Sequence, residues 1–333
     1  MLDTTLDWLP SAFIGLMALS FLIYAILDGY DLGVGVLLPL DNSQQRDTMI
    51  YSIGPFWDAN ETWLVLAVGL LLIAFPKAHS IIFQALYLPT ALMLAGLILR
   101  GVSFDFRTKA PSADKQKWEL AFKLGSVLAT LSQGYMLGRY ITAFDDSWLS
   151  LGFAILSAIC VTAGYCFIGA TWLVMKTEGD LQRRAASWAK VANILMAVGI
   201  ILVCVSNLLL DARIMDKWLG GIQALVLIPI IALFSFTFFA VDKYLRKVPV
   251  ANDTGCWYPF FSAIMLFILC FFGLAYSFYP YIVPFQLTIY EAASARESLW
   301  FIFVGATLVL PMIIGYTIFS YKVFWGKTTK LNY

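Results

Sequence analysis

Apolar residues along this chain come in long, nearly unbroken runs rather than in the short alternations of a soluble fold. A helix needs about 20 such residues to cross roughly 30 Å of hydrocarbon. Nine runs approach that length: 9–27, 56–75, 80–99, 120–138, 149–174, 188–210, 219–241, 258–279 and 298–321. The connections between them are too short for an extramembrane domain. The pattern predicts an all-α polytopic membrane protein with nine transmembrane helices. The first run follows an acidic stretch, Met1–Asp7, with no basic leader and no small-residue cleavage site, so it is expected to be a retained helix.

Nine spans place the two termini on opposite sides. Threaded this way, 17 of the 22 Lys and Arg residues fall on the side of the C-terminus and 5 on the other. Positive charge marks the cytoplasmic side, which predicts an external N-terminus and a cytoplasmic C-terminus. Trp8, Trp57, Trp118, Trp148, Trp218, Trp257 and Trp300 stand at or near the predicted span ends, where interfacial aromatics belong. Gly134 and Gly138 have the spacing of a close helix contact, although two glycines in an apolar helix can also arise by chance.

Composition removes whole classes of function. The 333 residues are 61% hydrophobic and 13% charged, against about a quarter charged in soluble domains. A water-soluble enzyme and a disordered scaffold are both excluded. With 22 basic against 21 acidic residues there is no field to attract nucleic acid. The five cysteines form no C-x-x-C pair and read as packed thiols rather than a metal or disulfide frame. The single histidine, His79, leaves almost no capacity to ligate haem or build a metal centre.

The informative residues are ionisable groups at span ends, because each is costly in hydrocarbon unless hydrated or paired. Asp28 and Asp31 close the first span, Asp58 and Glu61 open the second, and Arg100 and Asp105 close the third. All lie at the predicted cytoplasmic end. Asp28/Asp31 and Asp58/Glu61 are i, i+3 pairs, so each pair shares one helix face. With Arg100, Arg107 and Lys109 nearby, the five carboxylates are expected to form one buried polar patch able to take up and release protons. The competing reading makes Asp58 and Glu61 helix-start partners of the dipole and leaves Asp28 and Asp31 as wet loop residues. Gly29, Gly33 and Gly35 lack the Lys and Ser/Thr of a phosphate loop and predict a kinked exit from the first span.

Four segments in register resemble subunit II of the cytochrome bd-type quinol oxidases. They are Asp28-Gly29-Tyr30-Asp31-Leu32-Gly33-Val34-Gly35, Trp57-Asp58-Ala59-Asn60-Glu61-Thr62-Trp63-Leu64, Phe75-Pro76, and Arg100-Gly101-Val102-Ser103-Phe104-Asp105-Phe106-Arg107. The match is densest over the first 110 residues or so; Tyr30 and Leu37-Leu38-Pro39 are most similar to the cyanide-insensitive branch.

The resemblance implies a fold of two four-helix bundles, 1–140 and 141–281, followed by a ninth helix and cytoplasmic tail at 282–333. It implies a bacterial inner-membrane complex that oxidises quinol, reduces oxygen to water and builds a proton-motive force. Haems b and d, and the quinol-oxidising site, belong in that family to a partner, subunit I. This chain would bind no haem and no metal, and its resemblance extends to a structural quinone and to a small single-span subunit. Asp58 and Asp31 match acidic positions of a proton route from the cytoplasm, with Asp28 and Glu61 beside them. Asp105 and Lys109 match a second route across the subunit interface. Trp63 matches a position near an oxygen entrance, with Trp57, Asn60 and Arg100 grouped at that entrance or the interface. Glu61 stands where some relatives have Gln, and Ala59 where many have Gly, so position 61 is open between relay and cap. A stand-alone secondary transporter is the alternative; against it, no span has a Gly/Pro-broken, charged centre.

Overall fold

The computed structural model describes residues 8–210, 212–221, 224–250 and 253–328. Among them are nine helices of membrane-crossing length: α1 (Leu9–Leu37), α3 (Trp57–Ala74), α4 (Pro76–Lys109), α5 (Ser112–Ile141), α6 (Trp148–Lys176), α7 (Gly179–Leu210), α9 (Ala224–Leu245), α10 (Tyr258–Phe278) and α12 (Arg296–Val323). Between them lie short helices α2 (Ser43–Ile53), α8 (Ala212–Leu219) and α11 (Ile289–Ala292). A two-stranded hairpin, β1 (Tyr281–Val283) and β2 (Leu287–Thr288), pairs antiparallel with Tyr281 opposite Thr288. Each expected span corresponds to one long helix, except that the span expected to open at residue 219 starts later, because Leu219 ends α8 and α9 begins at Ala224. Eight helices are apolar enough to cross a membrane by length and composition; α5 is the ninth. Ser126, Thr130, Ser132 and Gln133 interrupt its apolar stretch.

Side-chain contacts sort the helix ends into two sets. At one end Asn60 of α3 and Arg100 of α4 reach α1, Glu119 of α5 reaches α4, Trp172 of α6 stacks on Tyr30, and Tyr321 of α12 bonds it. At the opposite end the Ser294 N–H and hydroxyl donate to the Ala74 and Ile73 carbonyls, and the Tyr140 hydroxyl donates to the Ile282 carbonyl. The main core lies between α1, α6, α7 and α10, around Tyr30, Phe56, Phe167 and Trp172. The exposed faces stay apolar, as hydrocarbon requires: Val65, Ile98, Ile201, Phe236 and Leu308 all face outward.

Two expectations need correction. α1 does not exit at residue 27 but runs ten residues further, so Asp28 and Asp31 lie inside a helix and are fully buried. The glycine string makes no kink. A Cβ at Gly33 would stand 1.8 Å from the Tyr165 carbonyl oxygen, and one at Gly169 would stand 2.6 Å from the Val34 nitrogen. The glycines let α1 and α6 touch backbone to backbone. Gly134 and Gly138 do the same for α5 on α6, where a Cβ would meet the Ala158 and Ala154 α-carbons at 2.6 and 2.5 Å.

Gly33→Ala should therefore separate α1 from α6, because neither backbone can yield to a rotamer change. Overpacking of this kind costs about 1–3 kcal/mol, and the variant should melt lower and yield less folded protein. Gly15→Ala meets nothing within 4 Å and should melt like the wild type. Equal melting of the two variants would remove close packing as the reason for Gly33.

Candidate functional site

The continuation of α1 delivers Asp28 and Asp31 to the buried interior between the helices. Three residues apart on a helix, they face neighbouring sectors, and each finds a different partner. Asp28 Oδ1 accepts from Arg100 Nη2 at 2.6 Å, and the same nitrogen donates to Glu61 Oε1 at 2.6 Å. One guanidinium nitrogen thus bridges carboxylates of α1 and α3. Asp28 and Arg100 are essentially sealed, at 0% and 1% exposure, whereas the Glu61 side chain is 27% exposed. The bridge runs from the protein surface to the interior.

Asp31 lies on a second branch. Its Oδ2 accepts from Asn60 Nδ2 at 2.7 Å, and that amide also lies 3.1 Å from the Tyr30 hydroxyl. Tyr30 and Tyr321 share a hydrogen bond of 2.6 Å, and the Tyr321 hydroxyl donates to Asn60 Oδ1 at 3.3 Å. Asn60 therefore joins α1, α3 and α12. Asp28 Oδ2, Asp31 Oδ1 and two Arg100 nitrogens, Nε and Nη1, have no protein partner although buried. Such groups are costly when left alone, so the network is polar beyond what its internal pairs satisfy. One α1 turn further in, the Tyr24 hydroxyl accepts from Gln133 Nε2 at 2.7 Å, and the Tyr165 hydroxyl donates to Gln133 Oε1 at 2.8 Å.

A separate ion network ties α2, α4 and α5 together. Glu119 accepts a hydrogen bond from Arg107 Nε at 3.1 Å and forms an ion pair with Arg46, whose Nε lies 2.7 Å from Glu119 Oε2. Arg107 also pairs with Asp47, which Lys115 approaches to 3.0 Å. Glu119, Arg46 and Arg107 are all buried. Breaking a buried pair leaves an uncompensated charge behind, so this network ties the short α2 to the ends of α4 and α5.

The lone His79 stands in the first turn of α4, stacked on Phe83 at the end of the helices away from the carboxylates.

Residues 9–324 match the family model for cytochrome bd terminal oxidase subunit II. The chain belongs to that family. Its relatives include the cytochrome bd ubiquinol oxidase subunit 2 of Bacillus subtilis, 29% identical over 93% of this chain and 94% of that one. The cytochrome bd-I ubiquinol oxidase subunit 2 of Escherichia coli K12 is 28% identical over 95% and 93%. The fold is similar to that in the structure of bd oxidase from Geobacillus thermodenitrificans, with a TM-score of 0.66 at 8% identity, over 96% of this chain and all of that one. The protein is a multi-pass subunit of a bacterial inner-membrane respiratory oxidase.

Within this family member, the expected patch of five carboxylates is two arrangements. Asp28, Asp31, Glu61, Asn60 and Arg100 converge. Asp58 is exposed in the first turn of α3, and Asp105 and Lys109 are exposed near the end of α4. Helix phase explains the split: Asp105 lies five residues past Arg100 and so turns away from it. Trp63 is buried, its indole Nε1 without a hydrogen-bond partner, and Trp57 packs on Phe104 at 5.0 Å. Sequence reasoning missed Glu119, Arg46, Asp47, Gln133 and Tyr321. A carboxylate at a span edge, as Glu119 is, was the one available signal; Tyr321 joins from 291 residues away.

Proposed function

We propose that this chain is the haem-free half of a bd-type oxidase heterodimer, and that it carries protons from the cytoplasm to oxygen reduced in the partner. The observation behind this reading is the Glu61–Arg100–Asp28 bridge, which has one end at the surface and the other fully buried. Oxygen reduction consumes protons, and hydrocarbon supplies none, so a carboxylate path has to admit them. Asp58 and Glu61 form the entrance at the start of α3, and Asp28, Asp31 and Asn60 hold the proton inside. Asp105 and Lys109 serve a second route.

The interface is assigned to the outward faces of α3 and α4. Val65, Leu72, Tyr87, Leu88 and Ile98 make these faces apolar, and exposed Asp58 and Asp105 stand at one end of them. Relay carboxylates on a contact face pass protons to a neighbour without crossing lipid. Trp63 borders the oxygen entrance beside this face. The N-terminus is external and the C-terminus cytoplasmic, following the lysine and arginine split. The segments 1–140 and 141–281 form the two bundles, joined where α1 meets α6, and 282–333 supplies the ninth helix and tail. The haems b and d reside in the partner, with a structural quinone and a small single-span subunit as further components.

Expression separates this reading from its alternatives. The chain purified alone should show no haem absorbance, and co-expression with a haem-bearing polytopic partner should yield a stoichiometric complex that oxidises quinol. A stoichiometric haem spectrum from the isolated chain would overturn the assignment. So would purification as a homo-oligomer that takes up a solute in vesicles.

A further inference from the structure

At the same end as the carboxylate network, an open cleft of about 460 Å³ lies between the α1–α2 connection and helices α5 and α7. Leu37, Leu38 and Pro39 form one wall; Lys123 of α5 with Arg184 and Trp188 of α7 forms the other. The proton path uses none of these residues, and the family resemblance touches only the Leu37-Leu38-Pro39 wall, not Lys123, Arg184 or Trp188. The Lys123 ammonium gives one hydrogen bond to the Leu38 carbonyl, at 2.8 Å, which leaves two hydrogens for a ligand. Arg184 lies 5.1 Å from the Trp188 ring, with Nη1 on Gln45 and Nη2 3.2 Å from both Asp41 oxygens. The Arg184 guanidinium holds the Asp41 carboxyl below the usual carboxylate range, so that carboxylate is ionised at neutral pH. Two cations against one anion leave the cleft with a net charge of +1.

The cleft continues as a greasy track. Arg184, Trp188, Val191 and Leu195 are spaced by four, three and four residues, which puts them on one side of α7. Val191 and Leu195 are more than half exposed. The order along the helix is cation, amphipathic ring, hydrocarbon, the same order a membrane presents from headgroup to acyl chain. A ligand matching all three carries one negative charge at headgroup depth and an apolar tail along α7. Free phosphate would leave the track unused, and a zwitterionic headgroup would bring its own cation against Lys123.

We propose that this cleft binds an anionic glycerophospholipid, its phosphodiester held by Lys123 and Arg184 and one acyl chain lying along Val191 and Leu195. The site is independent of the proton relay and of which subunit holds haem. Basic pockets between membrane helices bind anionic headgroups in this way, and each cation near the surface is worth about a fivefold change in affinity.

The test is lipid binding to the purified heterodimer in detergent, followed by native mass spectrometry and thermal melting. The probes are dioleoyl phosphatidylglycerol, dioleoyl phosphatidylcholine and inorganic phosphate. Phosphatidylglycerol should bind and raise the melting temperature, with little effect from the other two. K123Q/R184Q should weaken phosphatidylglycerol binding by about 25-fold. D41N removes the competing carboxylate and should tighten binding about fivefold, a gain that misfolding cannot produce. Unchanged binding in K123Q/R184Q, no gain in D41N, or equal stabilisation by inorganic phosphate would each overturn the proposal.

Discussion

Arg100→Gln should be the most damaging single substitution in the buried carboxylate network. Arg100 is 1% exposed and its Nη2 serves two carboxylates at once, each at 2.6 Å. Glutamine leaves Asp28 sealed in a low-dielectric interior with no counter-charge. Removing one partner of a buried pair costs about 3–5 kcal/mol, most of it the penalty on the charge left behind. That is a large share of the stability of an ordinary domain. The heterodimer should accordingly melt well below the wild type and be recovered in low yield. Arg100→Lys should rescue only in part, since an ammonium is a point charge without the planar fork. The informative partner is Arg100→Gln with Asp28→Asn: with the unpaired charge at position 28 removed, it should recover much of the lost stability. Melting within about 0.5 kcal/mol of wild type for the single variant, or no recovery in the double variant, would show that the bridge is not what holds α1, α3 and α4 together.

The same bridge shows where a sequence can be read and where it cannot. The long helices were legible because hydrocarbon demands about 20 apolar residues per crossing and admits few polar exceptions. Those exceptions were legible too: Asp28, Glu61 and Arg100 were singled out as costly charges, and they turned out to touch. What could not be read was the helix phase. Whether Asp58 or Glu61 faces Arg100 depends on the rotation of α3 about its axis, which the packing of Asn60 and Trp63 against the rest of the protein decides. The continuation of α1 past Asp28 was hidden for a related reason. Glycines at 29, 33 and 35 suggest a turn when taken locally, but here Gly29 and Gly33 are the surface on which α6 lies, and Gly35 packs on Ser126 and Phe122 of α5. Local propensity lost to a tertiary contact, as it often does. Tyr321 was beyond reach altogether, because nothing local in a tyrosine near a helix end reveals a hydrogen bond to residue 30.

Asp58→Asn separates a relay from a cap, and the geometry sharpens the contrast. Asp58 lies in the first turn of α3 and is exposed. Its structural value there is limited to its charge near the helix N-terminus, about 0.3–1 kcal/mol for an exposed site. Asparagine preserves size and caps about as well, so the variant should assemble with an unchanged haem content and melt within about 1 kcal/mol of wild type. It lacks a titratable proton. If Asp58 feeds Glu61 and the buried carboxylates behind it, quinol-driven oxygen consumption and proton uptake should fall together. A positioned proton-transfer group contributes at least about 10²-fold, so turnover should drop to that extent while the haem spectrum is unchanged. Asp31→Asn should reproduce the slow turnover from the buried side of the path, now with a larger stability change, because Asn60 Nδ2 loses a carboxylate acceptor at 2.7 Å. An Asp58→Asn heterodimer with full haem content and wild-type oxygen consumption would make Asp58 a structural residue. Proton entry would then run through exposed Asp105 and Lys109 at the end of α4, or wholly within the partner. Asp105→Asn in the same assay distinguishes those two, since only the first predicts that it slows turnover.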